Sequence, residues 1–331
     1  MTDLAHSDDA VPLGRLAPRA LAGGVLMGLA NLVPGISGGT MLLATGVYPA
    51  FIAAIADLST LKLRRNGLLL LGMVVAAAGL AILLLAGPTR SLVIEQRWIM
   101  YSLFIGLTLG GIPLVWRLVV PATTATWVGA ALGFAVMVAM ALREAASSGG
   151  ESSMPLLLLA GVAGAGAMIL PGISGGYLLL LLGQYLPILG AIDKLKQALL
   201  AAGGPDLALL LEALAVVVPV GVGVVVGVVG ISNLLHWTLN RFPKATLGVL
   251  LGLLVGAVAG LWPFQQGIPP REGDIVKGRV LGPGDLAEVE PEDWRVERFL
   301  PDAGQALAAL GLVALGFGAT GLIDRLGGRT G

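Results

Sequence analysis

Apolar stretches of 16 to 25 residues alternate along the chain with short polar runs that collect the charges. That length matches the roughly 20 helical residues needed to cross a bilayer core. The first apolar region, Leu16 to Ala56, breaks at Pro34 to Gly39 and closes at a basic loop with Lys62, Arg64 and Arg65. Its arms are 14 residues (Ala20 to Val33) and 17 residues (Thr40 to Ala56, with Pro49 inside). Neither reaches a full crossing, so the pattern predicts a re-entrant broken helical hairpin. Three spans follow, Gly67 to Gly87, Trp98 to Leu118 and Val119 to Leu142, the last two parted only around Arg117 and Pro121. After the polar run 143–153 the order repeats: a broken hairpin from Met154 to Ile192, then Leu207 to Ile231, Ala245 to Trp262 and Gln305 to Ile323. The expected fold is an all-α polytopic membrane protein, a single transmembrane domain over 1–331 with repeat one at 16–142 and repeat two at 154–323.

The break in each hairpin carries the same six residues. Pro34-Gly35-Ile36-Ser37-Gly38-Gly39 recurs as Pro171-Gly172-Ile173-Ser174-Gly175-Gly176, and the same offset of 137 aligns Gly46 with Gly183 and Tyr48 with Tyr185. A weaker echo, at offset 146, relates Gly106 and Gly110 to Gly252 and Gly256. Three crossings between the hairpins make an odd number, so the second hairpin enters from the opposite side. The sequence therefore predicts two inverted-topology repeats, each a hairpin plus three transmembrane helices, the plan of secondary transporters that bind substrate at the midplane.

Composition agrees. Only 12% of residues are charged, 56% are hydrophobic and mean hydropathy is +0.90, against about 25% charged in soluble domains. The 20 basic and 20 acidic residues cancel, so no basic field points to nucleic acid. Asp3, Asp8 and Asp9 argue against a cleaved signal peptide. Ten lysines and arginines fall on one side of the expected topology and five in the short loops of the other, which predicts cytoplasmic termini. The long loop 263–303, with five basic and nine acidic residues, then lies outside as a small cap. Trp98, Trp237 and Trp262, at span ends, read as an interfacial belt.

Enzymatic readings find little support. The chain has no cysteine, its two histidines, His6 and His236, are far apart, and there is neither a GxSxG nor a P-loop. No catalytic residue, cofactor or metal is expected. In the PGISGG element proline ends one arm, and Ser37 or Ser174 can cap the next. The glycines leave several N–H groups pointing one way, a nest suited to an oxyanion; the same glycines also suit close helix packing. The substrate-binding candidates are Pro34, Gly35, Ser37, Gly38, Gly39 and Thr40 in the first hairpin. Their counterparts in the second are Pro171, Gly172, Ser174, Gly175, Gly176 and Tyr177. Asn31, Thr40, Tyr177, Gln184 and Tyr185 flank the breaks and either donate to a bound oxyanion or satisfy the broken backbone. Glu212, inside the run 207–231, is a candidate coupling group by virtue of its depth, or an interfacial residue six positions past Asp206. No single cation stands out as the partner of an anion.

The segments NLVPGISGGTMLLATGVYPAFIAAI and MILPGISGGYLLLLLGQYLPILGAI, with GIPLVWR at 111–117 and LWP at 261–263, resemble the bacterial family formerly called domain of unknown function 368. The likeness runs from about Arg19 to Ile323, and the loop 263–303 is longer than the family leads one to expect. The resemblance implies a flippase of undecaprenyl or other polyprenyl phosphate in the bacterial cytoplasmic membrane, recycling the envelope lipid carrier, with the paired motifs as its site. The residues alone leave open a transporter of a small soluble anion and, as a third reading, a membrane enzyme acting on a lipid phosphate.

Overall fold

The computed structural model describes residues 13–34, 38–59, 64–146, 153–169, 175–201, 204–276, 279–286, 289–291 and 294–327. The chain is mainly helical. The first half comprises α1 (Leu13–Leu32), α2 (Gly38–Ala44), α3 (Tyr48–Ser59), α4 (Arg65–Glu95), α5 (Arg97–Val119) and α6 (Thr124–Ala146). The second comprises α7 (Met154–Ile169), α8 (Gly175–Leu181), α9 (Tyr185–Leu199), α10 (Leu207–Arg241), α11 (Pro243–Gly260) and α12 (Ala303–Gly327). Between α11 and α12 two small antiparallel ribbons form the loop expected as a cap: β1 (Gln265–Ile268) with β4 (Arg295–Arg298), and β2 (Ile275–Val276) with β3 (Arg279–Val280).

α4, α5, α10 and α12 are long and apolar enough to cross a membrane, and α1, α6, α7 and α11 contain shorter apolar stretches. Large apolar side chains point outward along them, among them Val75, Leu132, Val225 and Leu310, each at least 60% exposed. In water such a surface would aggregate; in lipid it is the contact face. The protein is a multi-pass membrane protein.

Several boundaries differ from expectation. α4 has 31 residues and α10 has 35, so both run past the apolar windows read from the sequence. The α5–α6 boundary falls at Val120 to Thr123, leaving Arg117 in the last turn of α5 rather than in a loop. The second arm of each hairpin is not one helix. It is a seven-residue helix followed, after a sharp turn, by a second helix. The turn sits at Gly46 and Gly183, whose φ values of +71° and +68° favour glycine. In both copies the glycine N–H donates three residues back and the next N–H five residues back, the Schellman pattern. This break, invisible to hydropathy, repeats at the same offset of 137 as the PGISGG element.

Glycine stripes pair the long helices. α1 lies along α4, where a methyl group on Gly24 or Gly28 would come 2.6 Å from the carbonyl oxygen of Val74 or Ala78. α7 lies along α10 in the same way, Gly161 facing Val220 and Gly223 facing Leu158. The other two close pairs cross between the halves. α5 packs on α12 through Gly106 and Gly316, and α6 on α11 through Gly129, Gly133, Gly248 and Gly252. Exchanging the halves converts α1–α4 into α7–α10, and α5–α12 into α11–α6, so these four contacts obey a two-fold relation. Small residues permit backbones to approach and to gain dispersion contact where lipid offers no hydrophobic drive.

Candidate functional site

The two hairpin tips meet. Gly38 starts α2 against Met27 and Asn31 of its own hairpin, while Gly176, the second residue of α8, faces Asn31 and Pro34 of the other. A methyl group on Gly176 would lie 3.1 Å from the Asn31 carbonyl oxygen and 3.6 Å from the Pro34 Cα. Pro34, Gly38, Gly175 and Gly176 are buried and Gly39 is half-buried. Thr40 and Tyr177 fall within α2 and α8, their side chains outside the described set. Gly35, Ser37, Pro171, Gly172 and Ser174 also lie outside the described residues.

The tips are set in one apolar cluster that gathers Leu32 of α1, Phe104 of α5, Leu180 of α8, and Tyr185 and Leu189 of α9, with Met137 and Ala257 from the α6–α11 pair. The Tyr185 side chain, 3% exposed, crosses between the halves and its hydroxyl donates a hydrogen bond to the Leu32 carbonyl. Leu32 ends α1, so this carbonyl is one that the helix itself leaves unpaired. Of the two roles open to Tyr185, the structure shows it completing the broken backbone. Gln184 beside it is 1% exposed; its amide nitrogen makes one long contact, 3.4 Å, to the Leu182 carbonyl, and its Oε1 has no partner.

The ends of the seven-residue helices change the electrostatic expectation. A macrodipole needs a longer run of aligned peptides, so the short α2 and α8 offer mainly the unpaired N–H groups of their first turns.

Charge gathers at the cap-side end. Glu290 of the cap accepts from Arg90 of α4 at 3.1 Å and from Lys194 of α9 at 2.6 Å, and Lys194 also contacts Glu212 of α10. For Lys194 partial burial works against the charge. The hydrogen bonds and charges of Glu212 and Glu290 outweigh it and raise the pKa above the ordinary lysine value. Glu212 is thus an ion-pair partner with a side chain 60% exposed. Asp193, the neighbour of Lys194, abuts Gly87 where α9 meets α4 and pairs with Lys196. Arg97, counted from sequence only among loop charges, is 7% exposed and its Nε has no partner. Nothing in its local sequence signals that burial. At the first Schellman turn, a cavity of about 600 Å³ is lined by Pro18, Arg19, Ala22, Ala44, Thr45 and Gly46.

Over residues 27–274 the sequence matches the family described as undecaprenyl phosphate translocase-like. The chain belongs to this family. Among its relatives is a polyprenyl-phosphate transporter of Vibrio cholerae, 30% identical over 320 residues that cover 87% of this chain and 94% of that protein. Another, also a polyprenyl-phosphate transporter, is from Staphylococcus aureus, 26% identical over 254 residues, 72% of this chain and 84% of the relative. No solved structure matches the chain. The family match takes in both PGISGG elements, the helices from α2 to α11 and the start of the cap.

Proposed function

We propose that this protein is a flippase that carries undecaprenyl phosphate, or a closely related polyprenyl phosphate, across the bacterial cytoplasmic membrane for reuse of the envelope lipid carrier. The observation that carries the reading is the meeting of the two PGISGG tips, Gly176 against Asn31 and Pro34, in a chain whose relatives are polyprenyl-phosphate transporters. The two halves act as inverted repeats, with both termini cytoplasmic and the cap outside. The exchange of helix pairs between the halves supports the repeat, and the excess of basic residues in the short loops on the terminal side supports the orientation.

The phosphate is held between the tips by N–H groups of the first turns of α2 and α8 and by the hydroxyls of Ser37 and Ser174, while the prenyl chain stays in lipid. A phosphate crossing bare hydrocarbon faces a penalty larger than the roughly 2.5 to 3.5 kcal/mol of a single side-chain charge on the insertion scale. Fixed dipoles must therefore replace its water. Transfer requires no covalent chemistry. The pairing of exposed Glu212 with Lys194 supports the interfacial role for that residue over coupling.

The test is translocation of labelled undecaprenyl phosphate by purified protein in liposomes, with Ser37→Ala, Ser174→Ala, Gly38→Ala and Gly175→Ala compared. Losing a hydrogen bond to a charged group costs about 1.5 to 3 kcal/mol, about tenfold or more in affinity. Absence of translocation by the folded wild-type protein would refute the function. Normal affinity in the serine double mutant would remove the hydroxyls as ligands.

A further inference from the structure

The geometry points to Arg97 as the cation that receives the phosphate headgroup on its way from the cap-side surface to the paired tips. This rests on the reading of the protein as a polyprenyl-phosphate transporter and assigns to it a residue that the tip motifs do not contain.

Arg97 opens α5 at the end of the molecule where Glu290 of the cap holds Arg90 and Lys194. Those two cations are paired; Arg97 takes part in none of the ion pairs among the described residues, and its Nε is buried without a hydrogen-bond acceptor. Arginine presents its charge on a planar guanidinium with five N–H donors and no acceptor. A buried, uncompensated charge is costly unless an anion reaches it. The planar fork of arginine suits a phosphate monoester, which accepts two parallel N–H bonds.

The surroundings lead from Arg97 to the tips. Four residues before it, Val93 is fully buried in the central cluster, and four residues after it Tyr101 packs on the same cluster and on Phe104, with ring centroids 6.1 Å apart. Val93 belongs to the last turn of α4, before the break at Gln96; within α5, residues four apart share a helix face, so Arg97 stands one turn, roughly 6 Å, from Tyr101 on that side of the helix. The same cluster contains Tyr185, bound to the Leu32 carbonyl at the end of α1. Gln184, beside Tyr185, is a second buried polar side chain; its Oε1 is an acceptor without a donor, and it is the amide nitrogen, not that oxygen, that can serve an anion. Its single long contact is easily given up, and the amide can turn its two N–H donors toward an oxyanion. Arg97 receives the headgroup first, and Gln184 stands next to the tips.

The experiment measures binding of undecaprenyl phosphate and of the uncharged undecaprenol to purified full-length protein in detergent, with inorganic phosphate as competitor and thermal unfolding of each variant in parallel. The wild-type protein binds the phosphate lipid more tightly than the alcohol. Arg97→Gln lowers affinity for the phosphate lipid at least tenfold, leaves undecaprenol within twofold and does not lower the unfolding temperature. A structural role alone would affect both lipids equally. Arg97→Met, which replaces the buried charge by an apolar chain of similar length, covers the case in which the glutamine variant does not fold. A folded Arg97→Gln or Arg97→Met protein that keeps the wild-type preference for phosphate over alcohol overturns the assignment, as does failure of both variants to fold. Equal binding of the two lipids by wild type, or displacement of the lipid by millimolar inorganic phosphate, would instead overturn the lipid-phosphate function itself.

Discussion

Replacing Tyr185 by phenylalanine isolates one bond between the halves. The ring is 3% exposed and packs with Leu189, Leu180 and Phe104, and phenylalanine fills the same space apart from the hydroxyl. What disappears is the hydrogen bond to the Leu32 carbonyl, and that carbonyl, at the end of α1, is left buried without its partner. The net value of a hydrogen bond is about 0.5 to 1.5 kcal/mol, but an acceptor stranded in the interior costs about 1 to 3 kcal/mol. Burial here places the effect in the second range, roughly 5- to 150-fold in the equilibrium between native and disrupted protein. Because Leu32 leads directly into the first tip, the same change loosens one tip relative to the other and should weaken transport as well as stability. The assay pairs thermal or denaturant unfolding in detergent with translocation in liposomes. Tyr48→Phe serves as the control, since Tyr48 holds the equivalent place in the first half but packs in the separate Ala20–Leu42 cluster. A Tyr185→Phe protein as stable and as active as wild type would refute the view that this bond fastens the tips together.

Other outcomes follow from the same structure. Gly252→Ala, whose methyl group would run into the Ala130 carbonyl of α6, should destabilise the protein by about 1 to 3 kcal/mol. Gly311→Ala, with nothing within 4 Å, should be neutral or stabilising by up to about 1 kcal/mol; equal effects in an unfolding assay would contradict the helix pairing. Single cysteines at Arg64 and Leu200, in a chain with none of its own, should react with an impermeant reagent from opposite sides of the membrane. Labelling of both from one side would exclude inverted repeats. Glu212→Gln should leave the pH profile of transport unchanged, and a shifted profile would make Glu212 the coupling group after all.

Hydropathy located the helices because the apolar windows are long and the charges between them few, and the repeated hexapeptide located the tips because six identical residues leave little room for coincidence. What it could not locate has a physical reason in each case. The Gly46 and Gly183 turns lie inside apolar sequence and depend on backbone conformation alone, so the second arms read as continuous helices. α4 extends beyond its apolar window and carries Arg90 to Glu290, a partner 200 positions away that no local pattern announces. The ribbons of the cap are too short, two to four residues each, for a period-two pattern to register. Arg97 looks like any loop arginine until its burial at the start of α5, one turn from Tyr101, is seen. The offset between Gly106 and Gly252 was a faint signal. Both lie on the same face of equivalent helices, against α12 and α6 respectively.

The crossed pairing of the halves also sets an order for biosynthesis. α1 finds α4, and α7 finds α10, within the same half of the chain, but α5 must await α12. About 180 residues separate the end of one from the start of the other. At roughly 5 to 20 residues per second this leaves the glycine face of α5 uncovered for about 10 to 35 s of translation. During that interval lipid, or an insertion factor, must occupy the groove that Gly316 later fills. A nascent chain released before Ala303 would hold two finished hairpin-and-helix modules and an unmatched α5, a surface that membrane quality control could read as an unfinished protein.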